Sequence, residues 1–364
     1  MRRVLQVITL AECGGAQKHL LEVISGLKTE YEFCVLTGQE GYLTDELKEL
    51  NVKYQIVDEL VRPINPVKDF ICFIKIKNFI KQYEPDVIHC HSSKAGILGR
   101  LAAWFCKKPS IFTAHGWAFH PKINFMSRTI AILTETICSW LSYKIVCVSY
   151  FDAELCKSIS FFNKKIIQVI HNGISPVKEA QSEQTSRLNN EKVKILMVGR
   201  FAVPKRQNLL IQAFNGLKTE LKNKAKLYFA GDGVTKTESE KLVQKYGLNS
   251  SVQFLGEISP IDTLLQEMDI FALISDREGL PISIIEAMKH EIPIIASDVG
   301  GVKELVKDGI NGFLVNARTE ITEKLAILIT NSSLRKEMSE RNKVLFEQNL
   351  TSDKMLERIK QLYG

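Results

Sequence analysis

At 364 residues, with 45% apolar and 24% charged residues, the chain is long enough for two domains and too apolar to be a disordered polymer. Its net charge is +7, and positions 62 to 165 alone hold 15 basic against 6 acidic residues, a local excess of +9. That excess points to an anionic partner such as phosphate, anionic lipid or nucleic acid, or to a solvated basic surface. The eight cysteines have no regular spacing, and most lie in apolar runs, as Cys72, Cys138 and Cys147 do. This excludes a disulfide framework and fits reduced, buried thiols in a cytosolic protein.

The first apolar run, at 4–10, is short, is broken by Gln6 and leads into a Gly-Gly turn, so it predicts a strand rather than a leader peptide. A helix over 16–28, a strand at 33–37, a helix at 43–50, a strand at 54–57 and a long amphipathic helix over 69–82 follow. Strands are then predicted at 87–91, 110–114 and 144–149, with helices between them. No stretch reaches about 18 apolar residues without a charge. The run 130–148 comes closest but contains Glu135 and Lys144, so no transmembrane helix is expected. Polar residues over 174–190 read as a linker. The alternation restarts with strands at 193–198, 226–230, 252–255, 270–274, 292–296 and 312–315, and a helix beginning at 207–217. Final helices are expected at 320–329, 333–347 and 352–362. Such βαβ alternation predicts an α/β protein with two doubly wound, Rossmann-like domains facing each other across a cleft.

Several strand ends carry residues suited to chemistry. Gly14-Gly15 precedes the first helix, where glycine permits close ligand approach and a helix N-terminus favours an anion; an ordinary tight turn would look the same. It is not the Gly-x-Gly-x-x-Gly of dinucleotide binders. His115, in Phe112-Thr-Ala-His-Gly-Trp117, reads as a cleft residue or a structural histidine. His89-Cys90-His91 reads as a strand end rather than a metal centre, because no Cys-x-x-Cys or second cluster supports it. Gly199-Arg200, with Lys205 five residues on, places two cations at a strand end, suited to a diphosphate or simply an exposed basic loop. Ala230-Gly-Asp-Gly233 and Phe254-Leu-Gly256 would present backbone to a flat base or merely make turns. Ser297-Asp-Val-Gly-Gly301 offers amides that could approach a phosphate. In Glu278-Gly-Leu-Pro-Ile-Ser-Ile-Ile-Glu286 two carboxylates frame a strand-to-helix turn and suit a polyhydroxylated ligand.

In this order the motifs resemble a retaining glycosyltransferase of family 4 with GT-B architecture, over essentially the whole chain and most strongly at 194–315. Pro85-Asp-Val-Ile-His-Cys-His91, His115-Gly116 and His171-Asn-Gly173 match more loosely. The resemblance implies that Arg200 and Lys205, beside Gly199, hold the diphosphate of a nucleotide-sugar donor, most of all a UDP-sugar. It implies Glu286 on the ribose, Glu278 on the donor sugar's hydroxyls, and Gly14 and Gly15 at the phosphate or sugar. His115 would lie beside the donor sugar, Leu255 and Gly256 would flank the base, and Leu280, Pro281 and Ile282 would line the same turn. The chain departs from many members at Gly279-Leu280-Pro281, usually Gly-Phe-Gly, and at Arg206, usually Gly; Pro281 lacks the N–H those relatives offer. No metal and no cofactor are expected, since two cations neutralise the diphosphate and no Asp-x-Asp occurs.

The resemblance further implies an N-terminal acceptor-binding domain at 1–175, a nucleotide-sugar domain at 176–345 and a C-terminal helix at 346–364 crossing back to the first. The reaction implied is transfer of a hexosyl or N-acetylhexosaminyl group to a glycan or lipid-diphosphate-linked acceptor in cell-surface polysaccharide synthesis. A nucleotide-sugar epimerase of similar fold and a catalytically silent sugar-nucleotide-binding subunit are the alternatives. No nucleic acid partner is expected. Residues 70–81 and 120–128 mix aromatic and basic side chains, so an anionic membrane surface is admitted as a partner, against ordinary packing of an amphipathic helix. The location implied is the cytoplasm, at the inner face of its membrane if that surface binds.

Overall fold

Near-continuous runs of Val, Ile, Leu, Phe and Cys make strands that are buried on both faces, and such strands pair in parallel under a cover of helices. The computed structural model describes residues 1–176 and 192–364. It divides into two units, Met1–Ser175 with Ser352–Gly364, and Pro176–Thr351. The polar linker expected at 174–190 lies, from 177 onward, outside the described residues.

The first unit runs β1 (Arg2–Val7), α1 (Gly15–Leu27), β2 (Tyr31–Thr37), α2 (Tyr42–Glu49), β3 (Lys53–Ile56), α3 (Pro66–Tyr83), β4 (Val87–His91), α4 (Ser93–Phe105), β5 (Ser110–Ala114), α5 (Phe125–Leu141), β6 (Lys144–Cys147), α6 (Tyr150–Lys157) and β7 (Ile167–Val169). The seven strands lie in the order β3-β2-β1-β4-β5-β6-β7. β1 pairs in parallel with both β2 and β4, Val4 lying opposite Phe33 and Val87. The order reverses between β1 and β4, and the loops leaving these two strands carry Gly14 and Ser92.

The second unit runs β8 (Val193–Val198), α7 (Gln207–Asn215), α8 (Thr219–Asn223), β9 (Ala225–Ala230), α9 (Lys236–Lys245), β10 (Val252–Phe254), α10 (Asp262–Gln266), β11 (Ile270–Leu273), α11 (Ile282–Lys289), β12 (Ile294–Ser297), α12 (Val302–Leu305), β13 (Gly312–Val315), α13 (Arg318–Thr330) and α14 (Ser332–Asn349). Its six strands lie in the order β10-β9-β8-β11-β12-β13. Here the reversal falls between β8 and β11, the position where ligands bind in open α/β sheets.

The last helix, α15 (Ser352–Tyr363), belongs to the first unit. It buries Met355, Leu356, Ile359, Leu362 and Tyr363, a 3–4 spacing that makes one helical face, in the same core as Leu20, Ile24 and Leu27 of α1. Lys360 of α15 pairs with Glu30.

α5 is built the opposite way round from an ordinary surface helix. Glu135, Cys138 and Ser139 face inward, whereas Phe125, Met126, Ile130, Leu133, Ile137 and Trp140 are all exposed. The Glu135 carboxylate accepts from Arg100 Nη2 of α4 at 2.8 Å, and both side chains are fully or almost fully buried. No helix among the described residues is long and apolar enough to cross a membrane.

Candidate active site

In the second unit the loop after β8 turns across the end of β11. Arg206 N–H donates to Ile274 O, Asp276 N–H donates to Pro204 O, and Lys205 pairs antiparallel with Ser275. This strap sets Lys205 against the turn that follows β11. Lys205 Nζ donates to Glu278 Oε1 at 2.6 Å, with side chains only 17% and 12% exposed. The two residues read separately from sequence as diphosphate and sugar contacts are therefore one ion pair.

Gly199 is needed for backbone geometry and space. Its φ is +155°, and a Cβ there would press on the Lys205 stem. Arg200 is exposed beside it, and the carbonyls of Gly199 and Arg200 accept from Gln207 Nε2 at 3.3 and 3.0 Å. Gln207, the buried first residue of α7, thus fixes the turn that carries Arg200; sequence reading passed over it because a helix-initiating glutamine is chemically unremarkable.

Pro281 caps α11 with φ −70°, and its carbonyl accepts from Ile284 N–H. A proline suits a helix start, where an N–H would have no helical partner. Glu286 sits one turn into α11 and is buried, as are Leu280 and Ile282. The Gly300-Gly301 turn does something other than expected. Gly301 N–H donates to Gly279 O at 2.9 Å, and a side chain on Gly300, at φ +55°, would run into the Glu278 carbonyl. These glycines let two turns pack back to back, and the Gly301 amide is not free for a phosphate.

The remaining turns interlock as well. Gly231 N–H donates to Gly256 O at 2.7 Å, Phe201 N–H to Asp232 O at 2.8 Å and Leu255 N–H to Phe229 O at 2.9 Å. These bonds engage the Leu255 N–H and the Gly256 carbonyl.

In the first unit Gly15 opens α1, and a Cβ there would meet nothing within 4 Å, so the fold itself does not demand glycine at this position. One turn along α1, His19 meets His115 edge to face, with ring centroids 4.9 Å apart. His115 Nε2 lies 3.1 Å from His91 Nδ1, and His91 Nε2 lies 2.8 Å from Gln6 Oε1. His89 bridges Tyr363 Oη and Thr113 Oγ1, both at 2.7 Å. His89 and His91 share one face of β4, as alternate strand residues do, while Cys90 packs in the core on the other. Burial lowers the pKa of His19 to about 4, and burial together with neighbouring histidines holds His89, His91 and His115 well below the ordinary histidine range. All four are neutral at pH 7. Sequence reading placed His115 near the donor and took His89-Cys90-His91 for a strand end, without joining them; the partners are spread from position 6 to position 363.

Comparison with known proteins defines the class. Residues 13–178 match the model of Glycosyltransferase Family 4, and residues 178–345 match that of Glycosyl transferases group 1. An O-antigen biosynthesis glycosyltransferase of Escherichia coli, WbnH, is 31% identical over 330 residues, covering 89% of each chain. A second E. coli relative, UDP-Gal:alpha-D-GlcNAc-diphosphoundecaprenol alpha-1,3-galactosyltransferase, is 27% identical over 381 residues, covering 99% of this chain and 96% of its own. Among solved structures, Anabaena Alr3699/HepE in complex with UDP and glucose superposes with a TM-score of 0.85 at 18% identity, over 100% of this chain and 99% of that one. The fold is GT-B. The chain belongs to glycosyltransferase family 4 and is related to enzymes of bacterial O-antigen and capsule synthesis.

Proposed function

We propose that the protein transfers a hexosyl or N-acetylhexosaminyl group from a UDP-sugar, with retention, to a hydroxyl of a lipid-diphosphate-linked glycan in bacterial surface polysaccharide synthesis. The observation that carries this reading is the Lys205–Glu278 pair at the sheet reversal, next to Arg200. A cation poised on a carboxylate is held ready for a diphosphate, and the carboxylate is left to accept from sugar hydroxyls. Departure of UDP places negative charge on phosphate, and preorganised cations stabilise it without rearrangement. Glu286 takes the ribose, the Leu255 carbonyl and Gly256 N–H the base, and Gly14 and Gly15 approach the donor, with Gly199, Leu280, Pro281 and Ile282 shaping the turns. His115, neutral, hydrogen-bonds the donor sugar. The leaving phosphate helps to deprotonate the acceptor hydroxyl, so no metal or protein nucleophile is required. Relatives that use UDP-Gal and diphosphoundecaprenol-linked acceptors support the donor and acceptor classes.

A thermal-shift panel of nucleotide sugars followed by transfer assays tests the reading. A UDP-sugar should raise the unfolding temperature, because a ligand that binds only the native state stabilises it by mass action. Turnover without acceptor would favour an epimerase instead, and donor binding without turnover across a broad acceptor panel would favour a silent subunit.

The outward face of α5 supports docking on the inner face of the cytoplasmic membrane. Its apolar residues fall at 126, 130, 133, 137 and 140, alternating steps of four and three, and Lys122 and exposed Phe125 precede them. On α3, Val67 and Phe70 are exposed beside Lys68. Such a face gains by entering the headgroup boundary, and its cations by meeting anionic lipid. The protein should float with phosphatidylglycerol-containing vesicles, and Leu133→Glu with Ile137→Glu should lower recovery by about tenfold or more without altering the unfolding temperature. Failure of the wild type to float at either low or high salt would end the membrane reading.

A further inference from the structure

The buried histidine cluster has hydrogen-bonding constraints that fix its tautomers. Gln6 Oε1 can only accept, so His91 Nε2 carries the proton and its Nδ1 bears a lone pair. Asn172 Oδ1 can only accept, so His19 Nδ1, 3.0 Å away, carries the proton and its Nε2 bears a lone pair. His19 is fully buried, and that Nε2 has no hydrogen-bond partner. One nitrogen from each of His19, His91 and His115 lies within 4.8 Å of the others. His91 Nδ1 accepts from His115 Nε2, whereas the buried His19 lone pair has no donor, which is costly, and a cation held by the three imidazoles would satisfy it.

We propose that His19, His91 and His115 form a binding site for a borderline transition-metal ion such as Zn²⁺ or Co²⁺. Three neutral imidazoles suit these ions rather than Mg²⁺ or Ca²⁺, which take oxygen. Metal–nitrogen bonds of about 2.0–2.1 Å in tetrahedral geometry need nitrogens about 3.3–3.4 Å apart. His91 and His115, at 3.1 Å, need to part by only roughly a few tenths of an ångström, and a side-chain shift of about an ångström or more brings in His19. His115 moves its proton to Nδ1 so that Nε2 can ligate. Gln6 and Asn172 already act as the carbonyl partners that orient metal-bound histidines through their second nitrogen. The partial exposure of His115 leaves a route in, and a fourth position for water or hydroxide. The site shares His115 with the sugar contact proposed above. Occupation takes that nitrogen out of use, so the ion is an inhibitor and not a participant in transfer.

Binding is measured on the full chain, stripped with a chelator, desalted and titrated with cobalt(II) chloride. The expected result is one cobalt per chain, a visible absorption band of tetrahedral nitrogen and oxygen coordination, no thiolate-to-cobalt charge-transfer band, and displacement by zinc sulfate. His19→Gln should abolish the band, and Asn172→Ala, which removes no ligand, should weaken binding about 10–100-fold. His171→Ala, outside the cluster, should change nothing. The proposal is overturned if the wild type retains no cobalt, if a thiolate band appears, or if folded His19→Gln binds as tightly as wild type. The wild-type result decides the matter even if a variant fails to fold. The assay contains no nucleotide sugar, so its failure would leave the transferase reading standing, and failure of that reading would leave the metal site standing.

Discussion

Arg200→Ala and Lys205→Ala should each lower the rate of sugar transfer by about 10²–10³-fold, the usual loss when one preorganised contact to developing charge is removed. Both sit at the end of β8 where the sheet order reverses, and neither belongs to the buried core of its unit. The unfolding temperature should therefore move by no more than a few degrees. The two variants differ in kind. Arg200→Lys keeps a charge but loses the planar fork, and should recover only part of the rate. Lys205→Ala also strips Glu278 of its 2.6 Å partner, so its donor KM should rise along with the fall in kcat. Steady-state transfer assays separate these terms. Near-normal activity in both alanine variants would remove the diphosphate assignment and leave the ion pair as a purely structural contact.

The second large effect concerns stability. Glu135→Ala should destabilise the first unit by about 3–5 kcal/mol, because it leaves the buried Arg100 guanidinium without its counter-charge. Arg100 is well held by other contacts. Its Nε donates to Gly96 O at 2.7 Å, and the guanidinium lies 4.1 Å from the centre of the Phe112 ring. None of these supplies negative charge, and Nη1 has no hydrogen-bond partner. The double variant Arg100→Met with Glu135→Leu should recover most of the loss, since an apolar pair of similar volume avoids desolvating either ion. Urea unfolding followed by tryptophan fluorescence reads this cleanly: all three tryptophans, Trp104, Trp117 and Trp140, lie in the first unit. A loss below about 1 kcal/mol for Glu135→Ala would place it among ordinary surface ion pairs.

Much of the architecture was legible from the sequence, for identifiable reasons. β4, β5, β8 and β13 have the bounds that their apolar runs predict, because strands buried on both faces announce both ends with polar residues. β1 was expected at 4–10 and instead spans Arg2–Val7. Pairing with β2 begins as early as Arg2 opposite Tyr31, and charged residues at a strand's start leave no hydrophobic signal. β7, three residues with none fully buried, was missed altogether for the same reason. In the second unit the glycine turns and the glutamate pair were readable because each motif is local in sequence. The histidine cluster was not, since Gln6, His19, His91, Asn172 and Tyr363 become neighbours only through sheet order and the return of α15. α5 was misleading in a different way. Its period marks a helix, but period alone does not say which face looks inward, and Glu135 read as an interruption of an apolar run rather than as the buried side's anchor.

The return of α15 has a consequence for the order in which the protein is made. Tyr363, at the end of α15, reaches the centre of the first unit: its hydroxyl meets Gln6 Nε2 at 2.9 Å and His89 Nδ1 at 2.7 Å, and its carbonyl accepts from Arg2 Nη1 at 2.5 Å. On the ribosome, domains ordinarily finish in the order they are encoded. Here the first unit cannot close until Ser352–Gly364 has emerged, by which point the second unit, up to Thr351, is already whole. The first unit is thus completed after the second, and a nascent protein stalled short of α15 would hold the apolar face of α1 open to solvent.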